Sequence, residues 1–274
     1  MMVLRWIAAL VAVVAITPAY AAPQSAKDIA YGPDELQKYD VYWDDAFANA
    51  PMIVMLHGGA WAIGDKASGR VWEQKVRHWR PKGYVFVSVN TRLLPDAPDL
   101  QAADFARAVV SLQRQAKRWG GDPARIVLMG HSAGAHIAAL VGGDVPYQRR
   151  HGMKPVRGTV VLDSGALDLE TLMANDPRQL YVRAFGNDPS YWEKMSPEAQ
   201  VTRGAAPFLV VCSSLRREVC PDARRFSQAA ARKGVRSTTM PVRLRHRAIN
   251  ARLGEPSAYT KAVSDWIDGR VGTR

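Results

Sequence analysis

The sequence lacks the residue patterns that hold metal ions. It has only two cysteines among its 274 residues, and neither Cys-x-x-Cys nor His-Glu-x-x-His occurs. Internal repeats and low-complexity tracts are absent as well. These absences argue against a zinc site, a repeat protein and a disordered chain. No metal site is therefore predicted.

Acidic residues are scarce relative to basic ones, which leaves a formal net charge of +12. Nucleic acid is one partner that such a charge allows. The arginines are scattered, however, and no basic groove interleaved with aromatic residues stands out. We therefore expect no nucleic-acid partner. The hydrophobic fraction of 47% and the charged fraction of 23% are those of a globular domain.

An apolar stretch at the N-terminus, Trp6 to Ile16, is too short to span a bilayer comfortably. It follows a single positive charge, Arg5, and precedes the small-x-small motif Ala19-Tyr20-Ala21. This order is typical of a secretory signal peptide rather than an uncleaved anchor. We expect residues 1–21 to be a signal peptide and residues 22–274 to form a single domain. The mature chain is then periplasmic or secreted, without stable membrane insertion.

Short apolar runs rich in β-branched residues alternate with helical patterns along the chain. The strongest helical pattern spans Asp99–Trp119, with Phe105 and Val109 at helical spacing. The strand-like runs cover residues 38–43, 50–56, 84–90, 125–130, 157–163, 206–213 and 236–242. This alternation predicts an α/β fold with a mostly parallel sheet covered by helices. Residues 164–205 are less regular, and we expect them to shape a pocket.

The motif Gly130-His131-Ser132-Ala133-Gly134 follows an apolar strand and opens a helix. A serine at this place could be a plain turn residue. The strand–turn–helix context instead indicates a nucleophile elbow, in which small residues at 130 and 134 let the strand and the helix cross closely. We therefore predict Ser132 as a nucleophile.

A second motif, "HGGAW" (His57 to Trp61), follows the strand-like run at residues 50–56. Acyl transfer builds negative charge on a carbonyl oxygen, and backbone N–H groups stabilise that charge. We predict an oxyanion hole from Gly59 and Ala60, with Gly58 shaping the loop and the N–H of Ala133 completing it. His57 is expected to brace the loop rather than transfer protons.

Four stretches carry a family resemblance: "HGGAWAIGDK", "NTRLLPDA", "GGDPARIVLMGHSAGAHIAAL" and "AAPFLVVCSS". They resemble the α/β-hydrolase superfamily, in particular its HGG-type small esterase branch. That branch includes hormone-sensitive-lipase-like carboxylesterases and kynurenine-formamidase-like enzymes. The resemblance covers about residues 30 to 268. It implies an eight-stranded sheet flanked by helices, a Ser–acid–His triad in that chain order, and no cofactor.

The resemblance places the catalytic base late in the chain, after the last strand. His246 is the only histidine there, so it is the predicted base. Its flanks, Arg245 and Arg247, are unusual because the resemblance leads one to expect a small or acidic residue before the base.

The resemblance places the acid after the seventh strand, often in a Gly-x-x-Asp pattern. No aspartate stands three or four residues after that strand here. Glu218 lies within the loop and is the preferred acid, ahead of Asp222, which looks like part of a helix. Asp163 and Asp168, after the preceding strand, stay open as alternatives.

The two cysteines, Cys212 and Cys220, lie eight residues apart near this loop. In an exported protein such a pair favours a disulfide over two buried thiols. A bridge there would fasten both ends of the loop, and we hypothesise that it orients Glu218 toward His246.

Taken together, these motifs predict an exported serine hydrolase that cleaves carboxylic esters of small molecules through an acyl-enzyme. One alternative is an arylformamidase acting on N-formylkynurenine-type amides. Another is a catalytically inactive hydrolase fold kept for binding, favoured by the missing aspartate and the basic flanks of His246.

Overall fold

A computed structural model describes residues 24–175 and 177–272 of the chain. The predicted signal peptide at residues 1–21 lies outside these residues. Within the described part of the chain, no helix combines the length and the apolar character needed to cross a bilayer.

Eight strands form one mixed sheet in the order β1-β2-β4-β3-β5-β6-β7-β8. Strand β2 runs antiparallel to both of its neighbours, and the other pairs are parallel. The strands are β1 (Gln24–Ala30), β2 (Lys38–Trp43), β3 (Ala50–Leu56), β4 (Val85–Val89), β5 (Gly121–His131), β6 (Gly158–Leu162), β7 (Phe208–Ser213) and β8 (Ser237–Val242).

Seven of these strands match the predicted runs, and the eighth, β1, carries no apolar pattern. Its sequence QSAKDIA is exposed or half-buried throughout. It pairs with β2 at the edge of the sheet, where Ile29 packs against the core but stays partly exposed. An edge strand of this kind needs no hydrophobic face, so its sequence gives little sign of it.

Strand β3 shows why the central runs are apolar at every position. Met52 and Val54 point to one face of the sheet, and Ile53 and Met55 point to the other. All four side chains are fully buried, because helices cover both faces.

Eleven α-helices connect or flank the strands in the described residues. They are α1 (Gly69–Trp79), α2 (Pro98–Gln115), α3 (Ala133–Gly143), α4 (Val145–Arg150), α5 (Leu169–Ala174), α6 (Gln179–Phe185), α7 (Pro189–Met195), α8 (Pro197–Gln200), α9 (Val219–Arg232), α10 (His246–Ala251) and α11 (Ala258–Val271). Helices α2 and α3 pack on one face of the sheet, and α1 and α11 pack on the other.

The irregular segment 164–205 contains the four short helices α5 to α8. From α6, Tyr181 and Phe185 pack against Trp61, with ring centroids 5.9 and 4.8 Å from the indole. The segment therefore lies against the HGGAW loop, as expected for an insertion that shapes a pocket.

A buried lysine, Lys75 on α1, links α1 to α10 by a hydrogen bond. It is 1% exposed, and its Nζ atom donates to the carbonyl oxygens of Asn250 at 2.8 Å and of Arg70 at 3.2 Å. It makes no salt bridge with any carboxylate of the described residues. Burial lowers the pKa of Lys75 to about 7. The protonated amine is therefore expensive to keep in this place, although the two carbonyls partly offset the cost.

The low pKa of Lys75 predicts a specific pH dependence of stability. Between its folded pKa near 7 and its unfolded pKa near 10.4, only the unfolded chain holds the proton, so stability rises with pH in this window. From pH 6 to pH 9 this group alone should raise the free energy of unfolding by about 2–3 kcal/mol. Urea denaturation at both pH values should show that Lys75→Met removes this increment. An unchanged pH dependence in the variant would contradict it.

Candidate active site

Ser132 occupies the sharp bend between β5 and α3. Its backbone angles are φ 56° and ψ −118°, a conformation that non-glycine residues rarely adopt. Its N–H donates to the carbonyl oxygen of Leu162 at 3.0 Å, which fixes the bend to strand β6. The bend directs the hydroxyl group out of the sheet and into a cavity.

Glycines on either side of Ser132 make this bend possible. A Cβ atom on Gly130 would stand 2.2 Å from the carbonyl oxygen of Gly134. A Cβ atom on Gly134 would stand 2.2 Å from the carbonyl oxygen of His57 and 2.4 Å from that of Leu56. The close crossing predicted from the motif is therefore present, and it also brings α3 against the HGGAW loop.

The imidazole of His246 lies between Ser132 and a carboxylate. Its Nε2 atom is 3.0 Å from the Oγ atom of Ser132, and its Nδ1 atom is 2.6 Å from Oδ2 of Asp163. With the proton on Nδ1 donated to Asp163, Nε2 is free to accept the hydroxyl proton of Ser132. Serine, histidine and aspartate thus form a continuous hydrogen-bonded chain.

Asp163 directly follows β6 and has a positive φ of 55°. The carboxylate is completely buried, and Oδ1 accepts from the N–H of Ser213 at 2.7 Å. Oδ2 also accepts from Nη1 of Arg216 at 2.8 Å. Burial by itself raises the pKa of Asp163, but the hydrogen bonds from His246, Ser213 and Arg216 outweigh it and lower the pKa below its usual value. The carboxylate is therefore ionised at neutral pH.

This geometry corrects the preference for Glu218 as the carboxylate partner of His246. Glu218 is exposed, occupies the N-cap position of α9 without a capping bond from its side chain, and makes no hydrogen bond to His246 among the described residues. Asp222 pairs with Arg225 at 2.7 Å, and Asp168 caps α5. Asp163 is one of the alternatives left open by the sequence. It lies near Ser132 because β6 runs parallel to β5, so that the carboxyl ends of the two strands are adjacent.

The HGGAW loop is built around three successive residues with positive φ. They are Gly59 at 144°, Ala60 at 52° and Trp61 at 59°. A side chain on Gly59 would stand only 1.7 Å from the carbonyl oxygen of Ile63, so glycine is required there. The N–H groups of Gly59 and Ala60 have no acceptor among the described residues.

The N–H of Ala133, in the first turn of α3, is likewise without an acceptor in the described ranges. First-turn N–H groups of a helix have no intrahelical partner. Gly58, Gly59, Ala60 and Ala133 line the same cavity as Ser132. The N–H groups without acceptors therefore belong to residues that line the same cavity as the hydroxyl of Ser132, as expected for the predicted oxyanion hole.

Three buried histidines, His57, His131 and His136, hold parts of this site in place, and only His57 was predicted to do so. His57 makes a 2.9 Å contact from Nδ1 to the carbonyl oxygen of Gly58, which suits its predicted bracing role. The Nε2 atom of His131 donates to the carbonyl oxygen of His246 at 3.0 Å. Burial lowers the pKa of His131 to about 3, so the ring stays neutral beside the imidazole of His246.

His136 joins the elbow helix to the loop and to the inserted helices. Its Nδ1 atom accepts from the indole of Trp61 at 3.2 Å, and its Nε2 atom donates to the carbonyl oxygen of Met195 at 2.8 Å. Burial lowers the pKa of His136 to about 4, so the ring is neutral at neutral pH. A neutral imidazole has one nitrogen that accepts and one that donates, as these two hydrogen bonds require.

The predicted disulfide between Cys212 and Cys220 is confirmed, with Cα atoms 5.2 Å apart. It joins the end of β7 to the first turn of α9. The bridged loop carries Ser213 and Arg216, both of which donate to Asp163. The hypothesis that the bridge orients Glu218 toward His246 is therefore corrected, since the loop instead supplies donors to the carboxylate of Asp163.

A cavity of about 580 Å³ opens over Ser132 and His246. Its wall includes the HGGAW loop, the segment after Asp163, and Leu180 and Tyr181 from α6. In the ranges that the structure describes, no group of three or more histidine, cysteine, aspartate or glutamate side chains is arranged to hold a metal ion.

A family model described as BD-FAE, an α/β-hydrolase domain, matches residues 39–222. This is well over half of the chain. The chain belongs to the BD-FAE family. The matched stretch contains the HGGAW loop, Ser132 and Asp163, and it ends before His246. The resemblance to α/β hydrolases drawn from the sequence is thereby confirmed.

Curated relatives are found among both formamidases and esterases. The kynurenine formamidase of Danio rerio is 32% identical over 174 residues, which cover 61% of this chain and 56% of that protein. Esterase LipC of Mycobacterium tuberculosis is 29% identical over 203 residues, covering 68% of this chain and 50% of that protein. The chain thus spans about half the length of the curated relatives it matches.

Solved structures share the fold over nearly the whole chain. A truncated form of a carbohydrate esterase from gut microbiota superposes with a TM-score of 0.76 at 17% identity, covering 93% of this chain and 99% of that one. The esterase Est2 of Thermogutta terrifontis gives 0.71 at 22% identity, covering 92% and 94%. The predicted eight-stranded α/β-hydrolase fold is confirmed.

The close crossing at the elbow predicts that Gly134→Ala is strongly destabilising. The new methyl group would meet two backbone carbonyls that cannot move without displacing the HGGAW loop. Overpacking of this kind costs ~3 kcal/mol. Urea denaturation should show that loss.

Gly143→Ala, on the same helix, is the matched control. Its Cβ atom would find its nearest neighbour at 3.5 Å, an ordinary contact. Because alanine is the better helix former, this variant should be neutral or more stable by up to ~1 kcal/mol. Equal effects of the two substitutions would contradict the role assigned to the crossing.

Proposed function

We propose that this protein is an exported serine hydrolase that cleaves carboxylic esters. The observation that carries the proposal is the chain of contacts from Ser132 through His246 to Asp163, at 3.0 and 2.6 Å. The esterases among the relatives and structural neighbours support the same reaction class. Glu218 has no part in this mechanism.

In the first half-reaction, the hydroxyl of Ser132 attacks the ester carbonyl. His246 accepts the hydroxyl proton at Nε2 and then donates it to the departing alkoxide, so that an alcohol leaves and an acyl-enzyme forms. In the second half-reaction, His246 takes a proton from water, and the resulting hydroxide attacks the acyl-enzyme. The carboxylic acid is released and Ser132 is regenerated.

Asp163 holds the imidazole in the tautomer that leaves Nε2 free and stabilises the imidazolium form. Its carboxylate is suited to this role because it is buried, ionised and held by donors from the bridged loop. In the tetrahedral intermediates, the negative charge develops on the former carbonyl oxygen. The N–H groups of Gly59, Ala60 and Ala133 are free to stabilise it, and one such donor is worth about 3–4 kcal/mol.

Export is part of the proposal. The features of residues 1–21 support a cleaved leader, and the disulfide between Cys212 and Cys220 is of a kind that persists in oxidising compartments. The protein would then act in the periplasm or outside the cell, on small-molecule esters that fit the cavity. No cofactor is needed for the two half-reactions, and no nucleic-acid or membrane partner is involved.

Arylformamidase activity is the second candidate, favoured by the similarity to the kynurenine formamidase of Danio rerio. The same three residues could attack a formamide. The leaving group would then be an amine, which needs the proton from His246 more than an alcohol does. A catalytically inactive binding role loses part of its support, because Asp163 lies against His246 where the loop after β7 offers no aspartate.

A fluorophosphonate probe should label Ser132 in the purified protein, because the reagent requires an activated serine. Ser132→Ala should abolish both the labelling and the hydrolysis of p-nitrophenyl acetate. Mass spectrometry of the labelled peptide and release of p-nitrophenol measure the two outcomes. Unlabelled wild-type protein would indicate the binding role. Much faster turnover of N-formylkynurenine than of p-nitrophenyl acetate would instead favour the formamidase.

The assignment of the acid makes a second, separate prediction. Asp163→Asn should lower kcat by about 10³–10⁴, because the amide no longer fixes the productive tautomer of His246. Glu218→Gln is the matched control and should retain wild-type kcat, since Glu218 does not contact the imidazole. Steady-state kinetics on p-nitrophenyl acetate check both. A large loss in Glu218→Gln with an active Asp163→Asn would overturn the assignment.

A further inference from the structure

Arginine side chains line the cavity that contains Ser132. Arg70 lies in the first turn of α1, Arg178 immediately precedes α6, and Arg247 follows His246. All three are exposed, and within the described ranges none of their guanidinium groups has a hydrogen bond or an ion pair. Like charges without partners do not stabilise a fold, so their position around one cavity points to a ligand of opposite charge.

A fourth arginine, Arg216, lies deeper, with its side chain 23% exposed. Its Nη1 atom donates to Asp163, while Nη2 has no partner among the described residues. A Cβ atom on Gly165 would stand 3.7 Å from Nη2 and 3.0 Å from the hydroxyl oxygen of Tyr181. Two donors therefore converge on a part of the cavity wall that carries no side chain.

Tyr181 is 7% exposed, and its hydroxyl group also lacks a partner in the described part of the chain. Burial raises the pKa of Tyr181, and the positive charges of Arg178 and Arg216 partly oppose that rise. Arg178, Arg216 and Tyr181 all line the cavity. At neutral pH the phenol is protonated and can donate a hydrogen bond.

The carboxylates of the cavity wall do not balance these charges. Two aspartates, Asp65 and Asp163, line it. Asp163 is buried and is already engaged by His246, Ser213 and Arg216. Asp65 is exposed and accepts from the N–H of Ala67. The cavity therefore keeps an excess of positive charge that attracts anions.

We infer that the cavity selects esters that carry a carboxylate in addition to the scissile bond. The carboxylate is bound by Nη2 of Arg216, the hydroxyl of Tyr181 and the guanidinium of Arg178, while Arg70 and Arg247 add to the attraction. That the ligand is an ester rests on the proposed function, whereas the recognition of the carboxylate does not. A guanidinium and a hydroxyl converging on one point suit the two oxygens of a carboxylate.

Apolar surface beside the arginines indicates what else the ligand carries besides its carboxylate. Ile63 is 70% exposed at the cavity, and Leu180 lines it next to Tyr181. Such a wall favours a hydrocarbon or aromatic body between the ester and the carboxylate. A small acidic ester of this kind fits a cavity of about 580 Å³.

Equilibrium binding to Ser132→Ala protein tests the inference without turnover. The probes are 4-acetoxybenzoate and phenyl hydrogen adipate, which place the carboxylate on the alcohol side and on the acyl side of the ester. Each is compared with its neutral methyl ester by isothermal titration calorimetry. At least one anionic probe should bind roughly fivefold or more tightly than its methyl ester, and the preference should shrink with added salt, which screens exposed charges.

Further substitutions in the Ser132→Ala protein test which arginine produces the preference for the anionic probe over its methyl ester. Arg178→Gln should reduce it by roughly threefold while leaving the binding of the methyl ester unchanged, because one exposed charge pair contributes modestly. Arg178→Lys keeps the charge and should retain most of it. Arg224→Gln is the matched control, since Arg224 is exposed on α9 and does not line the cavity.

The outcomes separate this inference from the proposed function. Equal binding of both anionic probes and their methyl esters overturns it, as does an Arg178→Gln effect of the same size on charged and neutral probes. If the Ser132→Ala protein prefers the anionic probes while wild-type protein releases no phenol from any of them, carboxylate recognition stands and the esterase proposal fails. If neutral and anionic esters are turned over at equal kcat/KM and also bind equally well, the esterase proposal stands and the inference of carboxylate recognition fails.

Discussion

The close crossing of β5 and α3 at Ser132 is the contact on which the rest of the site depends. Gly130 and Gly134 bring the backbones together, and the resulting bend holds Ser132 at a positive φ. The same contact presses α3 against the carbonyls of Leu56 and His57. The positions of Ser132 and of the HGGAW loop are therefore set by one piece of backbone packing, and neither can shift without the other. Strain of this kind persists only where the surroundings determine it, and here strands β3 and β6 do so.

His246 is held by hydrogen bonds to its backbone segment as well as by those of its side chain. Ser213, His131 and Lys75 each donate to a carbonyl oxygen of the segment 244–250, in which His246 begins a short helix. The three donors come from β7, from the end of β5 and from α1. A helix of six residues has little stability by itself, so these tethers supply the order that its length cannot. Two of the three donors are buried groups whose neutral form is favoured by burial.

The loop after β7 carries a charge opposite to the one that the α/β-hydrolase resemblance predicts. Arg216 stands three residues after the end of β7, where an acid was expected, and the carboxylate comes instead from Asp163 at the end of β6. The two side chains form an ion pair beside His246, and the disulfide secures the loop that carries Arg216. A carboxylate thus still lies beside His246, but it comes from a different strand end, and Arg216 adds a cation to the cavity wall.

Local patterns in the sequence determined seven of the eight strands, the bend at Ser132 and the glycine-rich loop, because apolar periodicity and glycine spacing act over a few residues. They did not determine β1, an exposed edge strand whose pairing partner alone defines it. The family resemblance, which places the acid after β7, favoured Glu218 over Asp163. His246 and Asp163 are 83 residues apart in the chain and meet only because β5, β6 and β7 lie side by side. Which carboxylate reaches the imidazole is thus a matter of strand order and loop direction, and these belong to the tertiary structure.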